Sequence, residues 1–228
     1  SVPRAAFTWV TERMKEEVSI PLITTNRINM PQTAEEILSS GQADMVSMAR
    51  PFLADPEIIN KSEQGREDEI NTCIACNQAC LDHVFKNITS SCLVNPRACH
   101  ETELVSQPLK QTKNLAVVGA GPAGLAFSTE AAKRGHEVTL FDAAEEIGGQ
   151  FNMAKQIPGK EEFYETLRYY KKQLELTGVK LQLSKKVSAE ELKEFDEVVV
   201  ATGVNPRDPK IPGQENEKVL SYIDVLKS

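Results

Sequence analysis

Four of the five cysteines in this 228-residue chain fall within one stretch, at Cys73, Cys76, Cys80 and Cys92, spaced C-x2-C-x3-C-x11-C. Thiolates so arranged can close on one inorganic centre, because the short spacings put three sulfurs on one turn and the longer loop returns the fourth. The centre is an iron-sulfur cluster or a zinc ion. Structural zinc usually takes two paired knuckles, one on each side of a loop, so three cysteines together and one apart favour a cluster. Cys99 is left over and reads as an idle thiol.

A second chemical signal begins at Leu115. Leu115 to Val118 reads as a strand, then comes Gly119-Ala120-Gly121-Pro122-Ala123-Gly124, an apolar helix to Lys133, a stop at Gly135, and a strand from Glu137 to Phe141 closing on Asp142. Strand, G-x-G-x-x-G, helix, strand and terminal acid together form a dinucleotide fingerprint. Gly119 permits the turn, Gly121 lets backbone approach a pyrophosphate at the helix N-terminus, and Gly124 allows close helix-strand contact. Asp142 is placed to hold ribose hydroxyls. The unit is expected to bind FAD or NAD(P). Ile147-Gly148-Gly149-Gln150 and Ala201-Thr202-Gly203 are further tight turns suited to a ligand edge.

Other elements must position these groups. Phe7, Val10 and Met14 share a helical stripe, Ile20 to Ile23 reads as a strand leading to Arg27, and Thr33 to Glu36 reads as a capping box opening a helix through Leu38. Ala43 to Arg50 reads as another strand, and Asp55-Pro56 as the cap of a short helix. Such βαβ alternation predicts parallel strands, in the manner of the last units of an eight-fold barrel, with Arg27 and Arg50 at corresponding strand ends suited to an anion. Each arginine alone would read as a surface charge. Residues 101–114 are polar and without period, a linker. Beyond them Phe163, Leu167, Tyr170 and Leu174 predict a helix ending at Gly178, and Glu197 to Ala201 a buried parallel strand.

The expected organisation is α/β throughout: residues 1–64 the last units of a TIM barrel, 65–100 a cysteine-rich cluster segment, 101–114 the linker, and 115–228 a Rossmann-like domain that is incomplete. A net charge of −7 with scattered basic residues argues against nucleic acid. The longest nearly apolar run is too short to span a bilayer, and with no export pattern the thiols suggest a reducing compartment, the cytoplasm. The chain begins with Ser1, and its first fifty residues read as the end of a fold, so it is expected to be an internal piece of a longer protein.

TTNRI, VSMARPFLADP, CIACNQACLDHVF, SCLVNPRAC, VVGAGPAGLAF, LFDAAEEIGGQFN and VVVATG, in this order, resemble the 2,4-dienoyl-CoA reductase (NADPH) family, iron-sulfur flavoenzymes related to old yellow enzyme and trimethylamine dehydrogenase. The resemblance runs over essentially the whole chain. It implies that Cys73, Cys76, Cys80 and Cys92 hold a 4Fe-4S cluster, and that Arg27, Ala49 and Arg50 contact FMN. It further implies that Gly119, Ala120, Gly121, Pro122, Ala123, Gly124, Asp142, Gly149, Gln150, Ala201, Thr202 and Gly203 hold FAD, with Val187 at the adenine edge. The family passes electrons from NADPH through FAD, the cluster and FMN to an acyl-CoA substrate in fatty-acid β-oxidation. No second G-x-G-x-x-G is present, and no residue here matches the family's acid pair, so the segment alone is expected to be inactive and to contain no catalytic residue; His83, His100 and His136 read as structural or exposed. Two other readings stand: a relative acting on an amine or another enoate, and a zinc-stapled nucleotide-binding module.

Overall fold

A computed structural model describes residues 2–107 and 109–227. The chain forms two compact units, residues 1–105 and 106–228, dividing inside the polar stretch that reads as a linker. In the first unit α1 (Thr8–Lys15) precedes β1 (Ile23–Thr25), α2 (Pro31–Ser39), β2 (Met45–Ser47), α3 (Arg50–Ala54) and α4 (Ile58–Glu63). A single 3-10 turn at Glu67–Glu69 follows, then the cysteine loop, interrupted only by α5 (Leu81–Phe85). β1 and β2 pair in parallel, Ile23 opposite Met45 and Thr25 opposite Ser47. The helix α2 makes the crossover, and Ile37 from it packs with Ile28 and Ala43 beneath the two strands. A second small core joins Met30, Ile58 and Ile70.

Several local expectations are corrected here. The α2 N-cap is Met30, without a side-chain cap bond, so Thr33 lies inside the helix and no capping box forms. Pro31 is the reason: its fixed φ and missing N–H suit the first helical position, and the helix starts there instead. Strand β2 stops at Ser47, and Arg50, read as strand, is the first residue of α3. Asp55 does not cap α4, whose N-cap is Glu57; its carboxylate instead accepts from the Glu57 N–H at 3.0 Å. The α1 stripe of Phe7, Val10 and Met14 exists but remains exposed.

In the second unit β3 (Asn114–Val118), α6 (Pro122–Lys133), β4 (Glu137–Phe141), α7 (Phe151–Ala154), α8 (Phe163–Thr177) and β5 (Lys180–Gln182) are followed by a 3-10 turn at Glu191–Glu194. β6 (Glu197–Val200) and α9 (Tyr222–Lys227) complete it. The four strands run in parallel in the order β5-β4-β3-β6. Leu115, Val117, Leu140, Leu125 and Leu174 make the core between sheet and helices, with Tyr170 packed on it. Gly178 ends α8 in the left-handed region, as its position just past the last apolar residue predicts. β6 is parallel but not buried: Val200 is 73% exposed, because the strand pairs with β3 alone and lies at the sheet's edge. Among the described residues no helix is long and apolar enough to cross a membrane.

Candidate functional site

The cysteine loop has almost no regular structure, so its shape must come from side chains. Asn71 leads into it with Nδ2 donating to Val94 O at 2.7 Å, and Asn95 leads out with Nδ2 donating to Leu53 O at 2.8 Å. The Ser91 N–H donates to Ala79 O, which folds the long arm back and returns Cys92 towards Cys80. Asp55, 4% exposed, fastens this scaffold to α4: one oxygen accepts from Lys61 Nζ at 2.6 Å and from the Asn71 N–H at 2.8 Å. Removing it would leave the partly buried Lys61 ammonium with only the Glu69 carbonyl, and the Asn71 N–H without its acceptor. Asp55→Ala is expected to destabilise the first unit by about 3 kcal/mol, read as a lower urea midpoint at unchanged slope.

All five cysteines are free, four half-buried and Cys99 exposed. Burial pushes the Cys73 thiol up, opposed by the Ala75 backbone N–H and the Arg50 charge, with Cys92 and Cys76 as like-charged neighbours that raise it further. Burial likewise raises Cys92, opposed by N–H groups of Val94 and Asn95, with Cys76 and Cys80 as neighbours. Cys73 thus has Cys76 and Cys92 as neighbours and Cys92 has Cys76 and Cys80, with backbone donors at Cys73 and at Cys92. Yet among the described residues no three His, Cys, Asp or Glu groups converge tightly enough for one metal ion.

Beside this loop, a cleft of about 50 Å³ opens at the carboxyl ends of β1 and β2. Arg27, Ala49 and Arg50 line it together, as their corresponding positions predict, and so do Cys73 and Ala75. Asn26 and Arg27 take positive φ, which turns the chain sharply off β1. Arg27 also donates from Nε to Val2 O, and Arg50 donates from Nη1 to Asn77 Oδ1 in the cysteine loop. Sequence reading took Asp55 for a helix cap only and missed Asn29, which has no local signal, as well as Asn71 and Asn95. For these last two a signal was present: asparagines flank the cysteine run on both sides, where a loop without ladder bonds needs side-chain amides.

In the second unit the three glycine turns come together. A Cβ on Gly119 would lie 2.3 Å from Ala201 O, and one on Gly124 only 1.8 Å from Gly119 O, whereas one on Gly121 would meet nothing within 4 Å. Helix α6 opens at Gly121 and Pro122 with no capping side chain, leaving its entrance to an incoming anion. The Gly148 N–H donates to Ala120 O at 2.8 Å, and a Cβ on Gly149 would stand 3.3 Å from Gly121 Cα, so the second turn lies against the first. Gln150 Nε2 donates to Val204 O at 2.7 Å, tying in the turn that contains Thr202 and Gly203. Open space before Gly121 and crowding behind Gly119 and Gly124 fit a bound pyrophosphate.

Asp142 does more than end β4. Its Oδ2 accepts from the Ala120 N–H at 2.6 Å and its Oδ1 from the Ala144 N–H at 2.8 Å, so it holds the glycine loop itself while lone pairs remain for hydroxyl donors. Val187 lies in the loop after β5, whose Lys185 N–H donates to Asp142 O. The histidines are occupied by local contacts: His83 Nδ1 with Thr89 O, His100 with Glu103, and His136 Nδ1 with the Lys113 N–H.

Residues 97–228 match the model of the pyridine nucleotide-disulphide oxidoreductase family, and residues 1–69 that of the NADH:flavin oxidoreductase / NADH oxidase family. Among curated relatives, a metal reductase of Desulforamulus reducens is 42% identical over 99% of this chain and 35% of its own length. A cinnamate reductase of Clostridium sporogenes is 36% identical over 94% of this chain and 32% of its own. A solved 2-naphthoyl-CoA reductase in complex with 2-naphthoyl-CoA superposes with a TM-score of 0.92 at 35% identity, covering 99% of this chain and 35% of that one. The chain thus spans about a third of the length of the curated relatives it matches. With both matches falling on the parallel-strand units described above, the chain belongs to the pyridine nucleotide-disulphide oxidoreductase family, joined at its amino-terminal side to a segment of the NADH:flavin oxidoreductase type.

Proposed function

We propose that this chain is the cofactor-bearing segment of a flavin- and iron-sulfur-dependent reductase that takes electrons from NADPH and reduces a conjugated enoyl-CoA of the 2,4-dienoyl class. Cys73, Cys76, Cys80 and Cys92 would hold a 4Fe-4S cluster, Arg27, Ala49 and Arg50 the phosphate of FMN, and the glycine turns with Asp142 an FAD. When bound, these groups supply two-electron exchange with nicotinamide and substrate, and one-electron passage between them. The chain's own residues bind and orient. Backbone N–H groups of Ala75, Val94 and Asn95 stabilise buried thiolates, and Arg50 offsets their negative charge.

The observation that carries this reading is a loop with four half-buried free thiols, one of which, Cys73, lines a cleft together with Arg27 and Arg50. The substrate class is supported by relatives whose names are cinnamate reductase and 2-naphthoyl-CoA reductase, both acting on conjugated acyl systems. More distant relatives include amine dehydrogenases, such as an N,N-dimethylglycine/sarcosine dehydrogenase at 33% identity. The test is iron, acid-labile sulfide and flavin per chain in anaerobically purified protein. About four iron and four sulfide, with flavin absorbance, are expected for a four-iron cluster; zinc without sulfide would sink the reading in favour of a zinc-stapled module.

Asp142 offers a separate check. Asp142→Ala removes a charged acceptor from the glycine loop and from the ribose position, so the FAD dissociation constant should rise about tenfold or more. Iron content should not change. Equal FAD retention by the variant would refute its role.

A further inference from the structure

Asn29 stands two residues beyond Arg27, is 2% exposed, and lines the cleft. Its Nδ2 donates to the carbonyl oxygen of Cys73 at 2.8 Å. Its Oδ1 has no partner, the one buried side-chain polar atom so placed among the described residues of the first unit. Turning the amide round gives no relief, because it would set Oδ1 against the Cys73 carbonyl, two acceptors face to face. A buried amide oxygen without a donor costs about 1–3 kcal/mol. Asn71 and Asn95, which fasten the same loop, carry no such orphaned atom.

The missing donor defines the ligand chemistry. Arg27 and Arg50 equip the cleft for an anion, but an anion without a proton, such as sulfate or the dianion of a phosphate monoester, only accepts hydrogen bonds and cannot serve Oδ1. A hydroxyl carried next to a phosphate can. Arg50 from the same cleft also holds Asn77, so Asn29 and Arg50 grip the loop on either side of Cys76, across the positive-φ residues Ala75 and Asn77. Whatever fills the cleft touches the side chains that set the loop.

We infer that Asn29 is both a binding residue for a polyol phosphate and a positioning residue for the cysteine loop: Oδ1 accepts from a hydroxyl of the ligand's chain while Nδ2 keeps Cys73 in place. The inference rests on the cleft and cluster assignments proposed above. Because coupling between sites is reciprocal, a ligand that orders Asn29 must steady the cluster, and the cluster must tighten the ligand.

The experiment uses cluster-loaded protein, a strong iron chelator, and FMN or inorganic sulfate as probe. In the wild type, saturating FMN should slow iron loss about tenfold, within the usual range of such couplings, while sulfate at saturation does little. Asn29→Ala should weaken FMN about tenfold, leave sulfate affinity alone, and abolish the protection. Asn29→Ser, which retains a polar group but loses the reach to Cys73, should also abolish protection and serves if the alanine variant folds poorly. Wild-type protein that binds FMN yet loses iron at an unchanged rate overturns the inference, as does an alanine variant that binds FMN with wild-type affinity. Wild-type protein that binds no FMN overturns the cleft assignment itself, and the inference with it.

Discussion

Gly124→Ala is expected to lower the melting temperature of the second unit by about 10 °C, while Gly121→Ala, three residues away, leaves it unchanged and instead loses the dinucleotide. The two glycines serve opposite faces of one turn. The alanine Cβ at 124 would sit 1.8 Å from Gly119 O, a backbone atom, and Gly119 is itself pressed against Ala201, so neither neighbour can yield cheaply. Forcing a methyl into such a contact costs about 3 kcal/mol, which for a unit of this size corresponds to the stated shift. At Gly121 φ is −73°, ordinary for any residue, and the added methyl meets no protein atom within 4 Å. It would occupy the space where a pyrophosphate must approach. Calorimetry of the second unit's transition together with FAD titration separates the effects. If both variants lost stability equally, the open face at Gly121 would be a packing site and the ligand assignment there would fall.

Cys92→Ala is expected to strip most of the iron and sulfide, whereas Cys99→Ala leaves both at the wild-type level. Cys92 is half-buried, receives N–H groups from Val94 and Asn95, and has Cys76 and Cys80 as neighbours; Cys99 is exposed and its own backbone N–H is taken by Glu101. A cubane that loses one thiolate loses a coordinate bond and the charge balance of its pocket. Flavin in the second unit should be retained in both variants, because its turns involve neither residue. Iron and sulfide assays with a visible spectrum decide this, and unchanged iron in Cys92→Ala would refute its place among the ligands.

The candidate site residues were legible in the sequence because they obey spacing rules. Gly119, Gly121, Gly124 and Asp142 fall where strand, turn and helix lengths require them, and β4 matches its expected bounds to the residue. What spacing cannot encode is who touches whom across long stretches of chain. Val198 and Val200 read as buried because an apolar run resembles a central strand, yet β6 has a neighbour on one side only. Thr33 and Glu36 satisfied the capping pattern locally, but Pro31 two residues earlier offered the helix a cheaper start. Asn29 gave no signal at all: its partner Cys73 lies 44 positions on, and only the folded chain brings the two together.

The strand order of the second unit also has a temporal meaning. β3 takes β4 on one side after a short excursion through α6, but on the other side it waits for β6, with the Asn114 N–H meeting Asp196 across 82 positions. Contacts so distant along the chain are formed late, after the entropy of closing the intervening loop has been overcome. During synthesis, then, β3, α6 and β4 can assemble while one flank of β3 is still bare, and the turn at Ala201 that backs Gly119 arrives last. The glycine loop acquires its final shape only when the polypeptide beyond residue 201 has emerged, so a nascent chain stalled before that point would have the fingerprint without its grip.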